Sequence, residues 1–266
     1  MKVRSAMCPT LSVGTLSAVG VVDDHRMQSR GFLLHAEVIG EKVADWNAYP
    51  YNIPAIAKLG RLELDPHVTF FVGENGSGKS TLVEAIAIRA GFNPEGGTKN
   101  FATRSRPSES SLHDALRLAR GAKREQGGFF LRAETMFNLS TEAEAYRAYG
   151  WDELHAKSHG ESFLWVINNR FRDRGLFILD EPEAALSPTR QLALLARMRQ
   201  LIQAGSQFII STHSPILLAY PNAKILLLDA QGVTSTRYQD TEHYAVTKSF
   251  LQDPDAMFKR LFADPE

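Results

Sequence analysis

Cysteine is almost missing from this chain: Cys8 is the only one in 266 residues. A single thiol excludes an internal disulfide framework and fits a reducing, cytoplasmic setting. Net charge is missing as well. Lys and Arg number 30, Asp and Glu 30, so no global field draws the chain to nucleic acid or to a membrane. No apolar run reaches the roughly 18 residues read as a membrane span, and direct membrane insertion is not expected. Repeats and low-complexity tracts are absent. Residues 92–157 hold no sustained heptads, which excludes a long coiled coil leaving that region. Residues 11–22 are only mildly apolar, interrupted by Ser, Thr and Gly. Residues 1–30 are therefore expected to form a poorly structured N-terminal arm and not an export signal.

What is present starts with an apolar content of 44%, enough for a sizeable core. Residues 67–72 (HVTFFV) form a β-branched and aromatic strand pattern. They lead into Gly73, Glu74, Asn75, Gly76, Ser77, Gly78, Lys79, Ser80 and Thr81, and a helical pattern follows to Gly91. This is G-x-x-x-x-G-K-S between strand and helix, the phosphate-binding P-loop. Glycines let backbone N–H groups turn inward on phosphate oxygens, and the helix N-terminus adds partial positive charge. Lys79 places a cation between the β- and γ-phosphates of ATP, and Ser80 offers a hydroxyl to Mg²⁺.

Other elements follow from pattern. Residues 31–39 (GFLLHAEVI) and 61–64 (RLEL) read as strands, and 46–54 (WNAYPYNIP) as a loop. A helix is expected from Ser111, with Leu112, Ala115, Leu116 and Ala119 as its apolar stripe and Arg117, Arg120 and Arg124 along another face. Gly127 and Gly128 should break it before a strand at 129–133 (FFLRA). Helices are expected at 140–149 and at 163–171 (FLWVINNRF). Residues 175–181 (GLFILDE) form a buried strand ending in two carboxylates. Ser187 and Pro188 then start a helix that Gly205 stops. Residues 207–211 (QFIIS), 224–229 and 232–238 complete the strands, and 253–262 form a short terminal helix. Alternation of strands and helices implies a mostly parallel sheet with ligands at its carboxyl edge.

Three strand ends should meet at that edge. Asp180 ends an apolar strand, where a carboxylate is expensive to bury, and Mg²⁺ bound through water would neutralise it. Glu181 is then available to orient and deprotonate an attacking water. His213 follows the next strand, within reach of a γ-phosphate.

The segments GENGSGKST, LFILDEPEAALSP and STHSP, in that order, resemble the Walker A, Walker B, D-loop and switch-histidine segments of ABC-type ATPases. They look closest to the soluble SMC-like and overcoming-lysogenization-defect-like branch, and to AAA-family ATPases within it. The resemblance covers about residues 60–230. It implies an α/β P-loop NTPase fold: a mostly parallel sheet flanked by helices, an antiparallel N-terminal β part and a small helical lobe at about 100–172, all one domain over 31–266. It implies ATP hydrolysis with Mg²⁺ in a head-to-tail homodimer holding two nucleotides. The signature motif maps to Ser158, Gly160 and Glu161, where one glycine of LSGGQ is replaced by Glu161; in the family this segment binds the nucleotide of the other subunit. The family's Mg²⁺-touching Gln maps to Glu134, whose carboxylate can bind a metal but cannot donate a hydrogen bond. Tyr49, Tyr51 or another aromatic would stack on adenine. Lacking a coiled coil, the chain looks like a head-only ATPase whose dimer gates a partner or nucleic acid; an ATP-gated binding module with slow hydrolysis and a transporter ATPase subunit are the alternatives. Residues 99–132 hold 8 basic residues against 3 acidic ones. They would meet DNA, close on the nucleotide, or form a solvated face. An effector protein is the other candidate partner.

Overall fold

The structure, a computed structural model, describes residues 31–99, 110–132 and 159–263, without the side chains of 159–162. Its larger sheet has the strand order β5-β6-β7-β3-β8-β9. The strands are β3 (Val68–Val72), β5 (Gly127–Arg132), β6 (Gly175–Asp180), β7 (Gln207–Ser211), β8 (Lys224–Asp229) and β9 (Gly232–Thr236). All neighbours pair in parallel except β8 and β9. The smaller sheet is antiparallel, order β2-β1-β4, from β1 (Leu33–Val38), β2 (Leu62–Glu63) and β4 (Leu116–Arg120). This is the α/β architecture expected, a mostly parallel sheet with an antiparallel N-terminal part.

Strand alternation divides the core in two. Phe70, Phe177, Phe208 and Ile210 face one side of the large sheet, where α4 (His159–Arg170) and α5 (Pro188–Gln203) cover them. On α5, Leu194, Met198 and Leu201 are buried and Leu195 and Ile202 pack at the margin, an apolar stripe at helical spacing. Phe71, Phe130, Ile178 and Ile209 face the other side, together with Leu33, Ala36 and Leu116 of the small sheet. Between the two sheets lies α2 (Lys79–Ala90), with Leu82, Val83, Ile86 and Ala90 all buried. Burying each large apolar side chain of this kind stabilises the fold by about 1.5–3 kcal/mol. The P-loop helix is thus clamped from both sides.

One buried polar side chain ties the sheets together. Gln207 Nε2 donates to the carbonyls of Leu33 (2.8 Å) and Asp65 (2.9 Å), and its Oε1 accepts from Leu33 N–H at 2.9 Å. These groups lie at the amino edge of the large sheet.

The stretch after Ser111 corrects the sequence reading. Only α3 (Leu112–Ala115) is helical, and residues 116–120 are β4. Leu116 fits the helical stripe but also, with Leu118, a period of two, and pairing with β1 decides between them. Arg117 stands directly opposite Glu37 and pairs with it. Arg120 pairs with Glu125 and donates to the Ala90 carbonyl at 2.9 Å. The expected helical arginine face does not form. Gly127 and Gly128 begin β5 instead of breaking the chain. The span 100–172, expected as a helical lobe, therefore contributes a strand to each sheet.

Four more α-helices lie among the described residues: α1 (Pro54–Ala57), α6 (Pro215–Leu218), α7 (Glu242–Gln252) and α8 (Pro254–Leu261). Of these, the sequence reading foresaw α8 alone. Thr241 caps α7 by accepting from the Tyr244 N–H, and Asp253 caps α8 through Ala256 N–H. No helix among the described residues is long and apolar enough to cross a membrane. The expected arm at 1–30, the helix at 140–149, Glu134 and Ser158 lie outside the described residues.

Candidate nucleotide site

The site is built on strand register. Arg132, Asp180 and Ser211 sit side by side at the ends of β5, β6 and β7, and β3 ends beside them in the P-loop. The glycines there are required by geometry. Gly73 has φ +147°, and a Cβ on it would lie 2.3 Å from the Leu228 carbonyl oxygen. Gly78, at φ +97°, precedes the first turn of α2. Both conformations exclude a side chain at small cost only for glycine.

Lys79 is buried and folds back over the loop, donating from Nζ to the carbonyls of Gly73 and Glu74 at 2.9 Å each. Burial pushes its ammonium below the usual lysine range, while Glu181, Asp180 and Glu183 push it back. Ser77 Oγ is buried without a hydrogen-bond partner. A desolvated cation and an orphaned hydroxyl inside a glycine loop suit an anionic phosphate.

Asp180 is 8% exposed. Burial raises its pKa; hydrogen bonds from Ser211 and Ser80 and the charge of Arg132 oppose the rise, and Glu181 adds to it. An oxygen ligand with that residual desolvation penalty, beside the Ser80 hydroxyl, fits Mg²⁺, which keeps several waters and needs few protein ligands. No cluster of three or more His, Cys, Asp or Glu is present among the described residues, and that mode of binding does not call for one.

Glu181 adopts a left-handed backbone at φ 48°. A non-glycine residue there costs on the order of 1–3 kcal/mol. Its N–H is held by the Ser211 carbonyl at 3.1 Å, and its side chain is 39% exposed at the mouth of the site. His213 Nε2 lies 3.6 Å from Glu181 Oε1. Burial first, then Lys79 and His243, hold the His213 imidazole down at about 4. It is neutral at physiological pH.

Two residues here escape sequence reasoning. Glu183 accepts from Thr212 Oγ1 (2.8 Å) and from His213 N–H (2.5 Å), so it clamps the turn carrying the histidine. Burial raises its pKa against those hydrogen bonds. Its signal was a third carboxylate in Asp180-Glu181-Pro182-Glu183. His243, on α7, lies 2.9 Å from His213 Nδ1 through its Nε2. A cleft of about 540 Å³ opens there, lined by Glu74, Asn75, His213, Glu242 and His243 among others.

The aromatic candidates separate. Tyr51 is buried, donates to the Ser111 carbonyl at 2.9 Å and packs edge-on against Trp46. It is unavailable for stacking. Tyr49 is 65% exposed, and its hydroxyl meets Thr81 Oγ1 at 3.2 Å, beside the P-loop helix. Of the signature segment, residues 159–162 fall in the first turn of α4, with Gly160 and Glu161 placed by backbone alone. β5 ends at Arg132, two residues before Glu134.

Two family models match the chain: "AAA domain" over residues 52–146 and "AAA domain, putative AbiEii toxin, Type IV TA system" over residues 169–219. The chain is 26% identical over 235 residues to the energy-coupling factor transporter ATP-binding protein EcfA2 of Methanospirillum hungatei, covering 78% of this chain and 58% of that protein. It is 26% identical over 182 residues to the ABC-type transporter ATP-binding protein EcsA of Bacillus subtilis, covering 61% of this chain and 73% of the other. Among solved structures, cbiO1 of Clostridium perfringens, part of the ABC transporter complex cbiONQ, matches at 16% identity and a TM-score of 0.45. That match covers 87% of this chain and 100% of the other.

Proposed function

Taking the chain as a P-loop ATPase of the AAA/ABC type, we propose that it hydrolyses ATP to ADP and phosphate at the carboxyl edge of its large sheet. The observation that carries this reading is the convergence on one edge of Lys79 from α2, Asp180 and Glu181 from the end of β6, and His213 from the turn after β7. The P-loop backbone and Lys79 bind and orient the β- and γ-phosphates. Mg²⁺, held by Ser80 and through water by Asp180, supplies charge neutralisation there when bound. Glu181 takes a proton from the attacking water as its oxygen bonds to the γ-phosphorus and the bond to the β–γ bridging oxygen breaks. Neutral His213 donates to the γ-phosphate. Tyr49 is the aromatic best placed for adenine.

Two copies, head to tail, close on two nucleotides. Support comes from the open mouth of the site, where Glu181 remains 39% exposed, and from the signature-like segment, whose Gly160 and Glu161 fall in the first turn of α4. Glu134 would complete the Mg²⁺ shell, and 31–266 would act as one domain. Light scattering tests the pairing on the Glu181→Gln variant. A monomer that becomes a dimer only with ATP–Mg²⁺ supports it, and a monomer with ATP bound contradicts it.

For biological role, the relatives favour an ATP-binding subunit of a transporter over an SMC-like head, since EcfA2 and EcsA bear transporter names. The DNA reading loses its support, because Arg117 and Arg120 are engaged by Glu37 and Glu125.

A further inference from the structure

We propose that His243 is a positioning residue that fixes the tautomer of His213: His243 Nε2–H donates to His213 Nδ1, so that His213 carries its proton on Nε2. The inference rests on the role given to His213 above. Its basis is the contact itself. His213 Nδ1 and His243 Nε2 are 2.9 Å apart, with ring centroids 5.1 Å apart and planes tilted by 51°.

Both rings are half-buried, and burial lowers both pKa values, with Lys79 acting in the same direction on each. Two neutral imidazoles sharing a hydrogen bond must divide the roles, one donating and one accepting. The far side of His213 decides which. Its Nε2 is buried with no hydrogen-bond partner and faces Glu181 Oε1 at 3.6 Å. Asp180 and Lys79 are the other charges acting on this ring. A lone pair on Nε2 would point at the Glu181 carboxylate; an N–H there is attracted to it. The same N–H is the donor an incoming γ-phosphate needs. With the proton on Nε2, His213 Nδ1 is an acceptor, and His243 must supply the hydrogen. Which ring nitrogen of a histidine carries the proton is commonly set by the hydrogen bond made at the other.

The element that carries this donor is itself informative. His243 lies in the first turn of α7, after the large sheet is complete. The helix thus contributes to the site a residue that lines the cleft beside Glu74 and Asn75 and acts through His213.

The test uses the full chain, labelled with ¹⁵N histidine, and two variants. His243→Gln keeps an amide N–H able to reach His213; His243→Phe keeps a ring without a donor. Nitrogen chemical shifts should report His213 as the Nε2–H tautomer in the parent chain and in His243→Gln. In His243→Phe the Nδ1–H form should gain population. There kcat for ATP should fall about tenfold with KM for ATP unchanged, and His243→Gln should restore most of it. Three results overturn the inference: an Nδ1–H tautomer in the parent chain, an unaltered tautomer and kcat in His243→Phe, or His243→Gln as impaired as His243→Phe. If the parent chain hydrolyses no ATP, the ATPase reading fails, while the tautomer measurement still decides the role of His243. If His243→Phe does not fold, the parent chain and His243→Gln decide it.

Discussion

The two edges of the large sheet are built on opposite plans. At the carboxyl edge, polar side chains are buried and hold one another. Asp180 takes the Ser211 hydroxyl, Glu183 takes Thr212 and the His213 N–H, and Ser214 Oγ donates to Gln191. At the amino edge a cleft of about 670 Å³ is lined by Lys123, Arg124 and Arg174, all exposed. The neighbouring buried polar side chains there, Ser206 and Gln207, bond to backbone. Both edges carry charge and both have a cleft. Only at the carboxyl edge are the charges that face the proposed ligand, Lys79 and Asp180, desolvated, where they act strongly on it; the desolvated Glu125 just before β5 is already paired with Lys99 and Arg120. Pre-organised burial, and not charge or volume, separates a chemical site from a surface feature.

The largest break in this contrast is Lys79→Ala. Removing the buried cation should lower ATP affinity by at least about 100-fold, because a charge-assisted contact to phosphate is lost in a desolvated site. Calorimetric titration with ATP–Mg²⁺ checks it, and unchanged affinity would mean that the P-loop does not hold the phosphates. Gln207→Leu comes next and acts on the other edge. It leaves the Leu33 N–H and the Leu33 and Asp65 carbonyls without their partner, and should destabilise the fold by about 2–4 kcal/mol. ATP affinity of the folded fraction should not move. Denaturant unfolding and titration on the same sample separate the two effects. The smallest expected effect belongs to Lys123→Glu with Arg124→Glu. Exposed charges on the far edge should change neither ATP affinity nor turnover beyond about twofold. A larger loss would show that the amino edge communicates with the nucleotide.

The carboxyl edge was legible in the sequence wherever local pattern and chemistry agree. The P-loop sits between a β-branched strand and a helix that ends at Gly91, and Asp180 closes an unbroken apolar run; both readings match the structure. The stretch at Leu116 was misread because that residue serves two periods, with Leu112 as a helix and with Leu118 as a strand, and the partner that settles it, β1, is some eighty residues earlier. Glu183 was passed over because nothing local distinguishes a clamp from a surface carboxylate. Its partners Thr212 and His213 come from a different strand end. His243 lies on a helix with no buried side chains, so no apolar stripe announced either the helix or its contact. Pattern reveals what a residue does for its own element. It does not reveal which distant element that residue meets.

The central claim is that Glu181 at the carboxyl edge is the base for ATP hydrolysis, and single-turnover hydrolysis by Glu181→Gln tests it most directly. The account predicts ATP–Mg²⁺ binding within about threefold of the parent chain and phosphate release slower by about 100-fold or more, the size expected for loss of a general base. Phosphate release at the parent rate, with ATP bound equally well, would contradict it.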